Sequence, residues 1–301
     1  MPGSIQRCAL ADRSERAAPG LATPAPQVAW LPVLAWALVS LVVLAALAAD
    51  WISPYEPLKG DIVNNLRPPG FSARDGFPHL LGTDMLGRDV LSGVLHGARV
   101  SLLVGVASVI GAGLVGTALG ILAGYFRGWL DEVLMRIVDV QLAFPFILLA
   151  IVIMYVLGRG LFNVIAVLII ASWPLYARVA RAQALRLRES EFVLAARSLG
   201  ASWPRIVLRH ILPNALTPLL VVATFAIPQM IIFEAALSFL GVGMPIEVVS
   251  WGSMLASGRS ALEQAWWIAS FPGIAIMITV LSVNILGDWL RDRLDPSLRV
   301  N

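Results

Sequence analysis

Six long windows of this 301-residue chain contain no charged side chain, and no other feature limits its possible folds so strongly. Each window is close to or longer than the ~18–20 apolar residues that a helix needs to cross the hydrocarbon of a bilayer. The pattern therefore predicts an all-α, polytopic membrane protein with six transmembrane helices. The windows lie between Arg16 and Asp50, Arg99 and Arg127, Asp139 and Arg159, Arg159 and Arg178, Arg209 and Glu234, and Glu263 and Asp288.

Composition supports this class and excludes several others. Apolar residues make up 58% of the chain and charged residues 14%, whereas soluble domains have roughly 45–50% and about 25%. This composition indicates that membrane lipid surrounds the protein. The net charge of +3 is too small to indicate a nucleic-acid partner. The three histidines are scattered along the chain and no catalytic motif is visible, so we expect no metal site and no enzymatic chemistry.

The single lysine and the single cysteine are both informative. Lys59 is followed by Gly60 and Asp61, whereas a P-loop requires Gly-Lys-Ser/Thr so that the lysine reaches the phosphates. We therefore expect no cofactor in this chain: ATP and Mg²⁺ would be bound by partner subunits. Cys8 has no second cysteine with which to form a disulfide within the chain.

Two connections between the windows can be predicted. The third and fourth windows share Arg159, so Gly158, Arg159 and Gly160 are predicted to form a tight turn at one membrane face. The run 235–246 contains two glycines and a proline, and is predicted to be an interfacial or re-entrant piece. The first window could be mistaken for a signal peptide. Its apolar run exceeds the roughly 7–15 residues of a signal core, so an uncleaved anchor is favoured.

Basic residues are distributed unevenly between the two sets of connections. With the N-terminus inside, 15 of the 22 basic residues lie inside, and seven of these lie between the fourth and fifth helices. The positive-inside rule therefore places both termini in the cytoplasm. The expected order is a cytoplasmic tail (1–27), a first transmembrane helix (28–50), an extracytoplasmic loop (51–97), a core domain of five helices (98–290) and a cytoplasmic tail (291–301).

The cytoplasmic segment 189–213, here called the hairpin, reads as two short helices separated by a glycine. Ser190 and Ser202 are predicted to cap the two helices, and Gly200 is predicted to end the first. Pro213 marks the entry to the fifth transmembrane helix. One face of the first helix is apolar, while the surrounding arginines keep the segment out of the bilayer. On physical grounds alone, a docking element and a plain amphipathic loop at the interface remain equally open.

The hairpin resembles a motif of known function. The pattern Ala195-Ala196-x3-Gly200, followed by Ile211-Leu212-Pro213, resembles the EAA loop of ABC importer permeases. Leu194 stands where that family often has a glutamate, and Glu191 lies three residues earlier. The resemblance implies that these residues form a coupling helix which docks into a cleft on the ATP-hydrolysing subunit, with the flanking arginines as charge partners.

Further motifs narrow the resemblance to the C-type dipeptide, oligopeptide and nickel permeases. A run in the outer loop resembles the entry to their core domain; it comprises Gly82, Thr83, Asp84, Gly87, Arg88 and Asp89. The segments 237–243 and 287–296 are similar to later motifs of the family, and the likeness covers about residues 28–300. It implies the type I ABC permease fold and places the outer motif near the substrate-binding protein.

The resemblance also implies a function and a set of partners. The chain would form half of the transmembrane pathway of an ATP-driven importer of di- or oligopeptides in a bacterial inner membrane. Its partners would be a second, homologous permease, two ABC ATPase subunits and an extracytoplasmic substrate-binding protein. Nickel, glutathione or opine-like substrates are family alternatives. An ion-gradient-driven transporter and an intramembrane enzyme are rivals, which the charge-free windows and the missing catalytic motif disfavour.

Three further features carry individual expectations. Gly116, Gly120 and Gly124 form a small-residue series that predicts close helix packing, with a role in lining the substrate path as the alternative. Glu234 ends an apolar run near the predicted outer face, where it could meet the amino group of a peptide or be an ordinary interfacial carboxylate. Asp131, Glu132, Arg136 and Asp139 precede the third helix and are interpreted as a structural cluster at the cytoplasmic edge, with spacings that permit Glu132–Arg136 and Arg136–Asp139 pairs.

Overall fold

The computed structural model describes residues 30–72 and 77–294, so the predicted N-terminal tail with Cys8 and most of the C-terminal tail lie outside the described residues. These ranges are mainly helical. The α-helices are α1 (Trp30–Leu47), α2 (Ala49–Ile52), α3 (Val90–Phe126), α4 (Gly128–Ala143), α5 (Phe146–Leu157), α6 (Leu161–Arg188), α7 (Glu191–Ser198), α8 (Trp203–Ile206), α9 (Leu212–Phe239), α10 (Trp251–Gly258) and α11 (Trp267–Leu294). Strands β1 (Phe71–Ser72) and β2 (Pro78–His79) pair antiparallel in the loop before α3.

The membrane-spanning helices follow the predicted windows with one difference. Five helical runs are long and apolar enough to cross a bilayer: α1, α3, α6, the continuous run Trp203–Phe239 and α11. The third window instead folds as α4 and α5, which meet at an angle of 97°. Pro145 disfavours helical geometry at the preceding residue, and Phe144 accordingly has extended dihedral angles. The count reaches the predicted six if this bent pair is one span.

Two connections can be compared with their predictions. The tight turn at Gly158 is confirmed: its φ is +81°, and the Asn163 side chain donates to the Leu157 carbonyl at 2.8 Å. The segment 235–246, predicted to be an interfacial or re-entrant piece, is divided between the end of α9, which remains helical to Phe239, and the loop 240–250. The loop leads into α10, whose first turn is closed by a capping box between Ser250 and Ser253.

Helix α3 begins earlier than the charge pattern suggested. The 37-residue helix starts at Val90, within the segment that was expected to be an extracytoplasmic loop. The start is fixed by the Asp89 side chain, which accepts hydrogen bonds from the Ser92 backbone N–H at 2.7 Å and from its hydroxyl at 2.6 Å. The outer motif therefore leads directly into the first helix of the core.

The centre of the molecule is the contact between α3 and α6, and the glycine series lies in it. A Cβ atom on Gly116 would lie 2.4 Å from the Trp173 carbonyl oxygen, and one on Gly120 would lie 2.3 Å from that of Ala177. At Gly124 the distance to the Arg181 carbonyl oxygen would be 2.7 Å. The two backbones touch at all three positions, so these glycines pack helices together and do not line an open path.

Two carboxylates of the α4 cluster pair with arginines of α6, and the pairs along α4 that the spacing permits are not among the ion pairs of the described residues. Asp131 accepts two hydrogen bonds from Arg181, one of them 2.7 Å long, and Asp139 forms an ion pair with Arg178. Local spacing permits pairs along a helix, but the packing of α4 beside α6 brings the arginines of α6 within reach of the same carboxylates.

Replacing Arg181 with methionine is expected to lower the free energy of unfolding by about 1–2 kcal/mol, because it leaves the mostly buried Asp131 carboxylate without its bidentate partner. Thermal unfolding of the purified complex would measure the loss. The matched control is Arg186→Met, since Arg186 is exposed on the same helix and has no ion pair among the described residues. Equal midpoints for the two variants would contradict the expectation.

Candidate functional site

The hairpin is built as two helices around a complete glycine turn. Gly200 has a φ of +78°, and its N–H donates to the Arg197 carbonyl at 3.0 Å. The Ala201 N–H donates to the Ala196 carbonyl, also at 3.0 Å. These two bonds are the Schellman motif, and they confirm the prediction that Gly200 ends the first helix.

The serine caps were predicted at the right positions but with the wrong contacts. Ser190 and Ser202 precede α7 and α8, yet neither side chain accepts a bond from its helix. The Ser190 hydroxyl instead donates to the Leu187 carbonyl at 2.5 Å, at the end of α6. This bond closes the corner between α6 and α7, so the serine fixes the direction of the hairpin.

One side of the hairpin is anchored in the core of the molecule. Val193, Ile206 and Ile211 are buried in the same hydrophobic cluster as the ends of α3 and α6. The adjacent corner carries an ion pair between Arg127 and Glu189. Burial of three branched side chains contributes several kcal/mol at about 25 cal/mol per Å². The hairpin is therefore held firmly against the helical body.

The other side of the hairpin carries apolar side chains that nothing covers. The most exposed is Leu199, at 89%. The other large members of this uncovered face are Phe192, Leu194 and Trp203, and Ala195 is exposed beside them. An exposed cluster of large apolar side chains on a fixed element is typical of a surface that contacts another protein or the membrane.

Arginines flank this uncovered face along the chain. Arg186, Arg205 and Arg209 are exposed, and none of them forms an ion pair among the described residues. Arg197 lies 5.8 Å above the ring of Tyr125, which fixes it at the junction between the hairpin and α3. The hairpin therefore combines an exposed apolar face with exposed arginines close to it in the chain, a combination complementary to a surface that is both apolar and acidic.

The second half of the hairpin continues without a break into α9. Between α8 and α9 lies one π-helical turn, Val207–Ile211, in which the Leu212 N–H donates to the Val207 carbonyl. Pro213 has no N–H to offer the carbonyl four residues earlier, and the wider turn accommodates this loss. The predicted entry to the fifth span thus lies inside one helical run, and movement of the hairpin would displace α9 directly.

The outer motif lies at the other end of α3 and ties the loop to the core. The Thr83 hydroxyl donates to the Asn64 carbonyl at 2.6 Å, and the Trp267 indole N–H donates to the Thr83 carbonyl at 3.1 Å. Gly82 and Gly87 both have positive φ angles that favour glycine. The motif thereby joins the 51–89 segment to the start of both α3 and α11.

The charged members of the outer motif have distinct partners. Asp89 contacts the His79 ring at 2.9 Å, and both side chains are nearly fully buried. Asp84 accepts backbone N–H bonds from Leu86 and Arg88, each 2.8 Å long. Burial raises the pKa of the Asp84 carboxyl above its ordinary value, and these hydrogen bonds partly offset the effect. Both carboxylates therefore hold the segment before α3 in place through their hydrogen bonds.

Glu234 is enclosed by the protein and is not exposed at its surface. Its carboxylate is fully buried and accepts hydrogen bonds from the hydroxyls of Ser238 and Ser250 at 2.8 Å and from that of Ser101 at 3.3 Å. In this structure the carboxylate is therefore closed off from both the solvent and any substrate path. Sequence spacing reveals only Ser238, one helical turn away.

A bundle of membrane helices that presents a fixed, uncovered hairpin between its fourth and fifth spans is the architecture of a type I ABC importer permease. The model of the family described as "Binding-protein-dependent transport system inner membrane component" matches residues 116–300, and the chain belongs to this family. The fold is also that of the inward-facing MetNI methionine ABC transporter. One MetNI structure superposes with a TM-score of 0.57 at 20% identity, over 68% of this chain and 97% of that chain.

Several permease proteins are much more similar to this chain in sequence than the MetNI structure is. The di/tripeptide transport system permease protein DppC of Pseudomonas aeruginosa is 42% identical, with 86% of each chain covered. The oligopeptide permease protein OppC of Bacillus subtilis is 40% identical over 87% of this chain and 84% of its own. The glutathione permease protein GsiD of Pectobacterium atrosepticum is 42% identical over 89% of this chain and 87% of its own.

Proposed function

We propose that this permease forms half of the pathway of an importer for di- or oligopeptides. The names of relatives at 40–42% identity support peptides as the substrate class. Glutathione, itself a tripeptide derivative, is the second candidate, because a glutathione permease is similar over the same part of the chain. A second, homologous permease subunit would complete the pathway, and an extracytoplasmic binding protein would deliver the substrate.

The hairpin would couple this permease to the two ABC ATPase subunits of the importer. Those subunits, and not this chain, would bind ATP and Mg²⁺. The observation that carries this proposal is Leu199, which is 89% exposed on an otherwise anchored element. Of the residues assigned by the family motif, one group would contact the ATPase and the other would support the hairpin at its junction with α9. The contact group is Glu191, Leu194, Ala195, Ala196 and Gly200, and the supporting group is Ile211, Leu212 and Pro213.

The proposed orientation places the hairpin and both termini in the cytoplasm. The uneven distribution of basic residues supports it, since seven of the 22 lie between the fourth and fifth helices. The outer motif then faces the opposite side of the membrane. There an open cavity of about 850 Å³ lies beside Tyr55, Arg67 and His79. We assign this side to the binding protein.

The substrate class can be tested with the complete complex in proteoliposomes. The permease, its co-encoded subunits and the binding protein would be assayed for ATP hydrolysis with dialanine, trialanine, reduced glutathione or a nickel–histidine complex. We expect dialanine or trialanine to stimulate hydrolysis severalfold. Stimulation by glutathione alone would select the second candidate. Transport that continues without ATP but requires an ion gradient would overturn the importer assignment.

Replacing Gly200 with alanine is expected to loosen the hairpin by about 1 kcal/mol, because an L-residue at a φ of +78° is strained. A Cβ there would meet no atom within 4 Å, so the effect is one of backbone conformation only. Hydrogen exchange of the hairpin amides should speed up about fivefold in Gly200→Ala. The matched control, Gly200→Asn, should change exchange less, since asparagine tolerates this conformation better. Identical exchange rates in Gly200→Ala and the wild type would contradict the assignment of Gly200 as the residue whose positive φ ends the first helix of the hairpin.

A further inference from the structure

The buried Glu234 carboxylate has no basic partner among the described residues and is held by hydroxyl groups alone. An isolated buried carboxylate is costly unless its oxygens are hydrogen-bonded. Three serine hydroxyls meet this need, those of Ser101, Ser238 and Ser250. A group that is so costly to bury and so completely enclosed calls for an explanation beyond packing.

Each of these three hydroxyls also accepts a hydrogen bond from a backbone N–H. Ser101 accepts from Trp251 at 3.2 Å and Ser238 accepts from Met244 at 3.2 Å. Ser250 accepts from its capping-box partner at 3.0 Å. A serine hydroxyl has one proton, and an N–H aimed at its lone pair leaves that proton free for the carboxylate. Three backbone N–H groups therefore orient the three hydroxyls so that each donates its proton to the Glu234 carboxylate.

These contacts join separate elements at one point. Ser101 belongs to α3 and Ser238 to α9, while Ser250 is the N-cap of α10. The backbones are already in close contact there, since a Cβ on Gly252 would lie 2.6 Å from the Ala235 Cα and 2.9 Å from a Glu234 carboxylate oxygen. The loop 240–250 is held as well, through Met244. Relative movement of α9 and α10 would break this network.

The network lies at the far end of the helix that begins in the hairpin. The run Trp203–Phe239 is continuous, and from Ile206 to Glu234 it covers about 40 Å at 1.5 Å per residue. We propose that Glu234 is a positioning residue, which fixes α10 and the loop 240–250 to the far end of α9 so that movement of the hairpin repositions them. This inference rests on the proposed function and gives Glu234 no contact with substrate.

The test compares Glu234→Gln with the wild type in the complete complex, using dialanine and glutathione as probes. Glutamine keeps the shape but turns an amide N–H₂ towards a serine proton that needs an acceptor. We expect normal amounts of complex and basal ATP hydrolysis within twofold of the wild type. The number of ATP molecules hydrolysed per substrate transported should rise at least tenfold. The control is Ser257→Ala, whose hydroxyl bonds only to a carbonyl within α10.

A merely structural role would lower the yield of complex and leave the ATP cost per transported substrate unchanged in the complexes that remain. That result would overturn the inference. If Glu234→Gln does not assemble, Ser101→Ala decides, because it removes the longest of the three bonds to the carboxylate, together with the acceptor of the Trp251 N–H. A threefold or larger rise in ATP cost supports the role, and an unchanged cost overturns it. A wild-type complex that no probe stimulates would count against the proposed function instead.

Discussion

Replacing Leu199 with glutamate is expected to abolish substrate-stimulated ATP hydrolysis while leaving the permease folded. The side chain is 89% exposed, so the isolated subunit loses no packing. In the assembled complex, loss of an apolar contact removes about 2 kcal/mol. Desolvation of a carboxylate adds to this loss, and each 1.4 kcal/mol weakens docking about tenfold. We expect a reduction of at least tenfold in stimulated hydrolysis by the reconstituted complex.

The matched control is Leu199→Met, which keeps an apolar side chain of similar volume and should retain most of the stimulation. Co-purification of the ATPase subunits gives an independent measurement, and Leu199→Glu should lower the recovered ATPase. Wild-type stimulation and recovery in Leu199→Glu would show that the uncovered face of the hairpin does not dock the ATPase.

Replacing Gly120 with valine is expected to prevent the helical body from forming. A Cβ at this position would lie 2.3 Å from the Ala177 carbonyl oxygen, which is backbone and cannot rotate away. Helices α3 and α6 would have to separate along their central contact, at a cost of about 3 kcal/mol or more. The amount of permease recovered from membranes, and its thermal midpoint, should both fall sharply.

The same helix offers a control with almost no steric cost. A Cβ on Gly113 would lie 3.6 Å from the nearest atom of the Tyr176 ring, which is an ordinary contact. Gly113→Ala should therefore be recovered in wild-type amounts, whereas Gly120→Ala should already be impaired. Equal recovery of the two alanine variants would mean that the close contact between α3 and α6 is not essential.

Features set by neighbouring residues could be predicted from the sequence. Charge-free windows identify membrane-spanning helices because a charge in hydrocarbon is expensive wherever it stands. Gly158 and Gly200 could be located because each occupies a turn with positive φ that other residues disfavour. The bend between α4 and α5 had a visible signal in Pro145, but charge spacing alone could not distinguish one straight span from a bent pair.

Features set by distant residues could not be predicted. Asp131 was given no partner because Arg181, to which it is bonded, lies 50 positions later. Glu234 was placed at the interface because nothing in its neighbourhood indicates Ser101, which lies 133 positions earlier. The short helix α10 was missed because its starting signal, a serine capping box, is weak when the surrounding run is apolar. Tertiary packing decides which of these residues meet, and the periodicity of the sequence carries no information about that packing.

The docking of the hairpin on the ATPase is the central claim, and cysteine protection tests it most directly. In a Cys8→Ser background, Leu199→Cys would be labelled with a soluble maleimide, first in the permease alone and then in the complex with its ATPase subunits. Ile246→Cys, 73% exposed in the loop 240–250, serves as the control. Labelling at position 199 should slow at least tenfold when the ATPase is bound, while labelling at position 246 should not change. Equal labelling of position 199 in both samples would contradict the claim.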